Sequence, residues 1–403
     1  MTEEKDNAAE RTLSVGMDMI YLISCALHGV VPAHDAITEM DLDAVHRMAA
    51  KHSLQVIVYD PIARYVEANG AEGLHADGEL LARWKAEQAT YIRKTILFEM
   101  ERERILSWFE EQKIWYAVLK GVIFQRYYPK VGMRQMCDND ILFDPAFRSA
   151  VRDRMVADGY AVRTYDSPYP DTYTKGQFSF EMHHALYTDS PEDRIFSDYY
   201  RNVRERLATV SEGSAAQDFS NEDFYIYCAT HSYKHFSDAG NGVRALVDIY
   251  VYLRAEGEHL DHAYMKRELG ALGIGDYDAM TRRLADKLFA PETLSDCLKA
   301  SLSEEDEDML LYFLDSGTYG SRVHAIKKRI GAIPGDRIVP TSKSRYFIRR
   351  IFPDMEYYRL HHPTVYRHKI LIPFFWIYRF FRGIFGRTGK LFSELRTVFR
   401  SKS

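Results

Sequence analysis

Cysteine is scarce in this chain of 403 residues, and its distribution excludes several kinds of protein. The four cysteines are widely separated, at Cys25, Cys137, Cys228 and Cys297. No Cys-x-x-Cys pair occurs, so the spacing indicates neither a zinc site nor a redox motif. We interpret Cys137 as a buried small apolar residue rather than a reactive thiol.

Long hydrophobic runs are also missing. No uninterrupted apolar stretch reaches the roughly 20 residues that a membrane-spanning helix needs. The first residues, Met1–Arg11, are charged and lack the apolar core of a signal peptide. We therefore expect a cytoplasmic protein.

Charge is nearly balanced over the whole chain but not along it. The formal net charge is −5, yet residues 341–403 hold 14 Lys and Arg against 3 Asp and Glu, which leaves −16 for residues 1–340. An acidic body makes large nucleic acids unlikely partners. The basic segment interleaves aromatic residues with Arg and Lys. It could lie as a helix on an anionic membrane surface, peripheral to the bilayer, or pack on the body with its arginines solvated.

Hydrophobic residues make up 46% of the chain, and their spacing predicts mainly helices. The predicted N-terminal helices lie at about 13–27, 42–51, 56–69 (with Gly70 as a stop) and 78–112. Residues 1–12 are polar and predicted to be disordered. A second helical region covers 220–330, where the acidic run Glu304–Asp308 fits the start of a helix.

Between these regions, strands and short helices alternate. The predicted strands lie at 115–119, 139–143 and 177–187, and the predicted helices at 122–128 and 145–158. Residues 165–174, rich in Tyr, Asp and Pro, are interpreted as a connector. Asp144 precedes a proline at the start of a helix, so we interpret it as an N-cap.

The first of these strands ends in the motif Ala117-Val118-Leu119-Lys120-Gly121. An apolar run ending in Lys-Gly predicts a buried strand that breaks into a helix. A helix N-terminus presents free N–H groups, and Lys120 adds a cation beside them, which together suit a phosphate group. Arg134, further along the chain, would neutralise more phosphate charge.

The next two strands carry acidic residues. Asp138 and Asp140 are two residues apart and so face the same side of a strand. Adjacent carboxylates repel each other unless a cation lies between them, and Mg²⁺ is commonly held by one or two carboxylates plus substrate phosphates. Alternation along the third strand puts Glu181 and His183 on one face, with Glu181 as the third carboxylate. These patterns predict a nucleotide–metal site.

The motifs resemble those of a known family, the uncharacterised nucleotidyltransferases of the DNA polymerase beta superfamily. Its members have Leu-Lys-Gly, Tyr-Pro, Arg and Asp-x-Asp in that order. The matching residues here are Leu119-Lys120-Gly121, Tyr128-Pro129, Arg134, and Asp138 with Asp140. Residues 180–184 resemble the family's acidic strand with paired histidines, while His231, His235 and 242–248 resemble its helical segment. The resemblance extends from about Asp18 to about Phe385.

The resemblance implies an α+β fold class, with a small mixed-sheet nucleotidyltransferase palm embedded in a mainly helical protein. The expected units are an N-terminal helical region (1–112), the palm (113–190), a helical domain (191–335) and a basic aromatic tail (336–403).

The implied reaction is Mg²⁺-dependent transfer of a nucleoside monophosphate from an NTP such as ATP to an unknown hydroxyl acceptor. The catalytic metal ligands would be Asp138, Asp140 and Glu181. The nucleotide-binding residues would be Lys120, Gly121, Arg134 and His183.

Two other functions stay open. The family's usual Gly-Ser is Gly121-Val122 here, and Asn139 replaces an apolar residue between the aspartates. Both departures favour a catalytically inactive nucleotide-binding or membrane-associated partner protein of a biosynthetic cluster.

The other alternative is a metal phosphohydrolase that uses histidines. Its candidate residues are His183, His184, His231, His235 and Asp248. No His-Glu-x-x-His pattern or adjacent His-Asp pair supports these histidines as ligands. Asp248 lies among apolar residues, so if buried it needs a partner such as Lys234, Arg244 or a histidine.

Overall fold

The structure, a computed structural model, describes residues 3–165, 167–291, 302–318, 320, 325, 352–353 and 355–378. Helices dominate and surround a five-stranded mixed sheet, which confirms the predicted α+β fold class. Within these residues, no helix combines the length and the apolar character that crossing a bilayer requires.

Five helices form the N-terminal part. They are α1 (Glu3–His28), α2 (His34–Thr38), α3 (Leu42–His52), α4 (Gln55–Asn69) and α5 (Gly78–Gln112). The long helix α5 and the stop at Gly70 agree with the sequence predictions. The prediction of disorder for residues 1–12 was wrong, because α1 already begins at Glu3. Glu, Lys and Ala are strong helix formers, so a polar composition did not prevent a helix there.

The central sheet contains five strands in the spatial order β1-β2-β5-β4-β3. They are β1 (Tyr116–Val118), β2 (Asn139–Phe143), β3 (Ala161–Thr164), β4 (Asp171–Lys175) and β5 (Phe178–His183). Only β2 and β5 pair in parallel; the other neighbours are antiparallel. Strands β3 and β4 were not predicted, and β4 occupies the end of the supposed connector. β3 is an edge strand, and β4 lies between β3 and β5. Neither sequence shows the apolar–polar alternation that marks a half-buried strand.

Short helices connect the first strands. α6 (Gly121–Phe124) follows β1 and continues as a 3₁₀ turn, while α7 (Arg148–Ala157) follows β2. The Asp144 side chain accepts a hydrogen bond of 3.0 Å from the backbone N–H of Ala146, which confirms the predicted cap.

The two faces of the sheet differ in character. Alternate residues of β2 and β5 are apolar and pack on one side against α5 and α7 in a shared core. That core includes Ile105, Phe109, Ile141, Phe143, Val151, Met155, Phe180 and Met182. The opposite face carries Asp140, Glu181 and His183, with Asp140 directly beside Glu181 in the parallel register. Strand alternation therefore separates the core from the polar face.

The second half of the chain is mainly helical. Its elements are α8 (Arg194–Tyr199), a small sheet of β6 (Leu207–Thr209) and β7 (Gln217–Phe219), α9 (Asn221–Asp238), α10 (Val243–Glu256), α11 (His262–Ala271), α12 (Gly275–Phe289) and α13 (Glu304–Ser316). The acidic run opens α13, where Ser303 and Asp306 form a capping box.

Part of the basic tail is also described. It contains α14 (Met355–His361), α15 (Pro363–Arg367) and a helical stretch at 372–378. The rest of the predicted tail of 336–403 lies outside the described residues.

The largest apolar core among the described residues joins the N-terminal helices to helices of the second half of the chain. It includes Leu22 of α1 and Ile57 of α4 together with Leu246 of α10, Leu288 of α12 and Leu314 of α13. These helices therefore form one packed body. The predicted unit boundaries stay a prediction.

Candidate active site

A cavity of about 670 Å³ lies between the polar face of the sheet and helices α9 and α10. Its volume is within the range of roughly 300–1,000 Å³ typical of small-molecule sites. The structure places every residue predicted for the site on its wall. These residues are Lys120, Gly121, Arg134, Asp138, Asp140, Glu181 and His183.

Three of these side chains form a compact group. One ligand atom each from Asp140, Glu181 and His183 lies within 4.8 Å of the others. This is the single such group of three found in the part of the chain that the structure describes. The parallel pairing of β2 with β5 creates it, because Asp140 faces Glu181 and His183 follows on the same side. Asp138 precedes β2 and lines the same cavity without joining this group.

Lys120 lies directly beside the group. Its Nζ donates a hydrogen bond of 2.7 Å to Oδ1 of Asp140, and the same oxygen lies 2.8 Å from Nε2 of His183. Lys120 has a φ of 48°, in the left-handed region that non-glycine residues rarely adopt. Such backbone strain concentrates at functional sites. The sharp strand-to-helix turn is therefore made by the lysine, with Gly121 opening the helix.

Gly121 is needed for a different reason. A Cβ atom at this position would lie 2.4 Å from Nη1 of Arg134, too close for any side chain. Arg134 is fixed there by Asp248, with Nε–Oδ1 and Nη2–Oδ2 distances of 2.8 Å each. The Tyr128 hydroxyl donates a third hydrogen bond to Asp248, of 2.7 Å.

This contact corrects the expectation for Asp248. Asp248 is buried and paired, but its partner is Arg134 and not Lys234, Arg244 or a histidine. Arg134 lies 114 residues away in the sequence, and no local pattern indicates such a pairing.

The carboxyl groups of the cavity differ in proton affinity. Burial would raise the pKa of Asp140, but the Lys120 ammonium and the hydrogen bond from His183 hold it well below its usual range. Burial and the charge of Asp140 raise the pKa of Glu181 to about 7. The same two causes raise the pKa of Asp138. Burial and the nearby Lys120 lower the pKa of His183, which favours the neutral ring.

The donor set fits a divalent cation. The two carboxylate oxygens, of Asp140 and Glu181, are ligands that Mg²⁺ and Mn²⁺ prefer, whereas the imidazole nitrogen of His183 is a ligand more typical of Zn²⁺, Fe²⁺ or Ni²⁺. Two carboxyl groups with raised pKa values, Glu181 and Asp138, are in an environment where added positive charge would favour ionisation. Nε2 of the neutral His183 ring donates to the ionised Asp140 carboxylate, whereas Nδ1 is buried and has no hydrogen-bond partner among the described residues.

The histidines of α9 do not form a separate metal centre. His231 and His235 are one helical turn apart, as predicted, and their Nε2 atoms lie 3.3 Å from each other. Neither belongs to the group of three ligands, and the Asp248 carboxylate is bound to Arg134. The geometry therefore does not support the phosphohydrolase alternative.

Several cavity residues were missed or misjudged from the sequence. Cys137 was interpreted as buried, but it is exposed and lines the cavity, because the segment before β2 is irregular rather than part of the strand. Lys234 and Arg244 line the opposite wall. For Lys234 a signal existed: it lies within one helical turn of His231 and His235, on the same face of α9. For Arg244 there was none.

Carboxylates on two adjacent parallel strands, beside a Lys-Gly turn in a mixed sheet, define a nucleotidyltransferase-like protein. A family model described as "Uncharacterised nucleotidyltransferase" matches residues 38–290, which is more than half of the chain. The chain therefore belongs to this family of nucleotidyltransferases, and membership implies a nucleotide as substrate. The match is narrower than the stretch from Asp18 to Phe385 expected from the motifs. Searches among curated proteins and among solved structures found no match.

Proposed function

We propose that this protein transfers a nucleoside monophosphate from an NTP, such as ATP, to a hydroxyl acceptor, with Mg²⁺ as the metal. The acceptor oxygen gives up its proton and bonds to the α-phosphorus, and the bond to the β-phosphate breaks so that pyrophosphate leaves. The observation that carries the proposal is the convergence of Asp140, Glu181 and His183 beside Lys120 in one cavity. The two carboxylates suit the metal ion of a metal–triphosphate substrate, and the lysine suits its phosphate groups.

In this proposal Asp138, Asp140 and Glu181 hold the metal, with His183 next to them. Bound Mg²⁺ would neutralise charge on the triphosphate and favour ionisation of the acceptor hydroxyl. Lys120 would exchange part of its contact with Asp140 for a phosphate oxygen. Arg134 would contribute positive charge at the turn while its salt bridge with Asp248 keeps it in place.

The charge of the cavity supports a metal-bound anion. Four Lys or Arg and four Asp or Glu line it, so the wall is formally neutral. Adding a divalent cation makes the site positive and favours a polyphosphate. We propose a small molecule or a protein side chain as the acceptor, because the net charge of −16 on residues 1–340 opposes large nucleic acids.

Isothermal titration with ATP, GTP, CTP and UTP in Mg²⁺ tests the proposal. We expect the wild type to bind at least one NTP, and Asp140→Asn and Glu181→Gln to weaken that binding at least tenfold. Asp153→Asn is the matched control, because this carboxylate of α7 has a side chain that is 75% exposed. The proposal is lost if no NTP binds, or if both site variants bind as the wild type does.

A second candidate function concerns the tail. Ile370, Phe374 and Ile377 are 79%, 67% and 56% exposed and recur at the spacing of one helix face. Arg367 and Lys369 precede them, in a segment of strongly positive charge. We propose that this apolar face, with its basic neighbours, contacts an anionic membrane surface, with or without turnover at the cavity.

A further inference from the structure

The four cations of the cavity differ in what they contact. Three of them form salt bridges: Lys120 with Asp140 at 2.7 Å, Arg134 with Asp248 at 2.8 Å, and Lys234 with Asp193 at 2.7 Å. Arg244 has no carboxylate within 4.0 Å among the described residues. Its one hydrogen bond there runs from Nη1 to the carbonyl oxygen of Gln135, at 3.1 Å.

The guanidinium of Arg244 lies next to the segment 135–138, which precedes β2 and contains Asp138. Arg244 is the second residue of α10, a helix of 14 residues whose N-cap, Gly242, makes no side-chain cap. Gln135 lies three residues before Asp138, so the contact holds the guanidinium against the segment that leads into the carboxylates. The charge of Arg244 also acts to lower the pKa of Asp138, against the raising effects of burial and Asp140.

The chemistry of the guanidinium indicates its ligand. Arginine keeps its charge at any physiological pH and presents five N–H donors, of which one is used here. A half-buried cation without a carboxylate partner gains most from an anion with several oxygen acceptors. A phosphate group accepts two parallel hydrogen bonds from a guanidinium and also neutralises its charge. A nucleoside has no phosphate and offers no such negative charge.

We propose that Arg244 binds the polyphosphate of the donor nucleotide and so makes the cavity select triphosphates over monophosphates. The inference rests on the proposed nucleotide-binding function. It identifies a contact on helix α10 that positions the donor beside the segment leading into the carboxylates.

A purely structural role would be different. If Arg244 only tethers the loop at Gln135, its loss would disturb the cavity for every ligand alike. In that case Arg244→Lys would not restore a preference for ATP or tripolyphosphate over AMP. The two roles are therefore separated by comparing ligands that differ only in phosphate number.

The experiment uses the full-length chain and titrates ATP with Mg²⁺, AMP, and inorganic tripolyphosphate. Arg244→Gln should weaken ATP and tripolyphosphate binding at least tenfold and AMP binding less than twofold, and Arg244→Lys should restore part of the loss. Arg93→Gln, an exposed position of α5, should match the wild type in all three. Thermal unfolding of each variant checks that the fold is intact.

Three results would overturn the proposal. The first is unchanged binding of ATP and tripolyphosphate in Arg244→Gln, and the second is an equal loss for ATP and AMP without rescue by lysine. The third is absence of both ATP and tripolyphosphate binding in the wild type. If the wild type binds tripolyphosphate through Arg244 but no NTP, the phosphate site stands and the nucleotidyltransferase proposal fails.

Discussion

Gly121 shows how one residue can satisfy a motif for a reason that the motif does not state. The Lys-Gly pair predicts a turn that suits a phosphate, and Lys120 does lie beside the carboxylates. The structure adds that the glycine leaves room for Arg134, whose Nη1 occupies the space of a side chain. Arg134 cannot move cheaply, since Asp248 holds it through two hydrogen bonds.

We therefore predict that Gly121→Ala lowers the free energy of unfolding by about 1–3 kcal/mol, the cost of overpacking a close contact. The measurement is the urea-unfolding midpoint. Gly78→Ala is the matched control: it opens helix α5, and within the described residues nothing lies near enough to contact an added Cβ. A Gly121→Ala protein as stable as the wild type would show that Arg134 is not confined as described.

At the scale of elements, α10 depends on residues far away in the sequence. His52 at the end of α3 accepts a hydrogen bond from the backbone N–H of Val243 through Nδ1, at 3.2 Å. Its Nε2 donates to the carbonyl oxygen of Leu314 in α13, at 3.1 Å. One neutral imidazole thus caps the N-terminus of α10 and the C-terminal part of α13. The cap sets where α10 begins, and with it where Arg244 and Asp248 meet the cavity.

This contact predicts a pH dependence. Burial and the nearby Lys51 lower the pKa of His52 to about 3, whereas an unfolded histidine titrates near 6.5. Because the folded pKa is the lower one, the stabilisation is complete above about pH 6.5 and is lost as the pH falls toward 3. At pH 5 the expected loss is about 2 kcal/mol.

The measurement compares urea-unfolding midpoints of the wild type and His52→Gln at pH 7.5 and pH 5.0. Glutamine stays neutral and can still donate, so the variant should be less stable at pH 7.5 but should lose less on acidification. Equal losses in both proteins would contradict the contribution assigned to His52.

Across the whole molecule, charge is distributed unevenly. Residues 341–403 carry +11 against −16 for the rest, and among the described residues the largest apolar core extends from α1 to α13 without including this tail. The tail therefore differs from the body in charge and in its exposed apolar side chains, Ile370 and Phe374 among them.

For the full-length protein we predict flotation with vesicles that contain phosphatidylserine, and little flotation with phosphatidylcholine alone. The double variant Ile370→Ser/Phe374→Ser should lose most of this binding, and salt should weaken it in the wild type. Val156→Ser, a 49% exposed apolar residue of α7, is the control. Equal flotation of the double variant and the wild type would exclude this surface.

Much of the architecture was predictable because it depends on local patterns. Helical spacing located α5, and alternation in β5 put Glu181 and His183 on one face, as the structure has them. Strands β3 and β4 were missed because their mostly polar residues carry no such alternation. Cys137 was wrongly predicted to be buried, because the sequence does not show where the preceding loop ends and strand β2 begins.

The amino-acid order by itself determined the α+β class, the family motifs and the set of polar residues at the strand ends, since each depends on neighbours a few positions apart. Only the tertiary structure decided that His183 rather than Asp138 joins Asp140 and Glu181, that Arg134 binds Asp248, and that Arg244 is left without a carboxylate. These outcomes depend on strand register and on helices more than 100 residues away, which bring together groups that no local pattern relates.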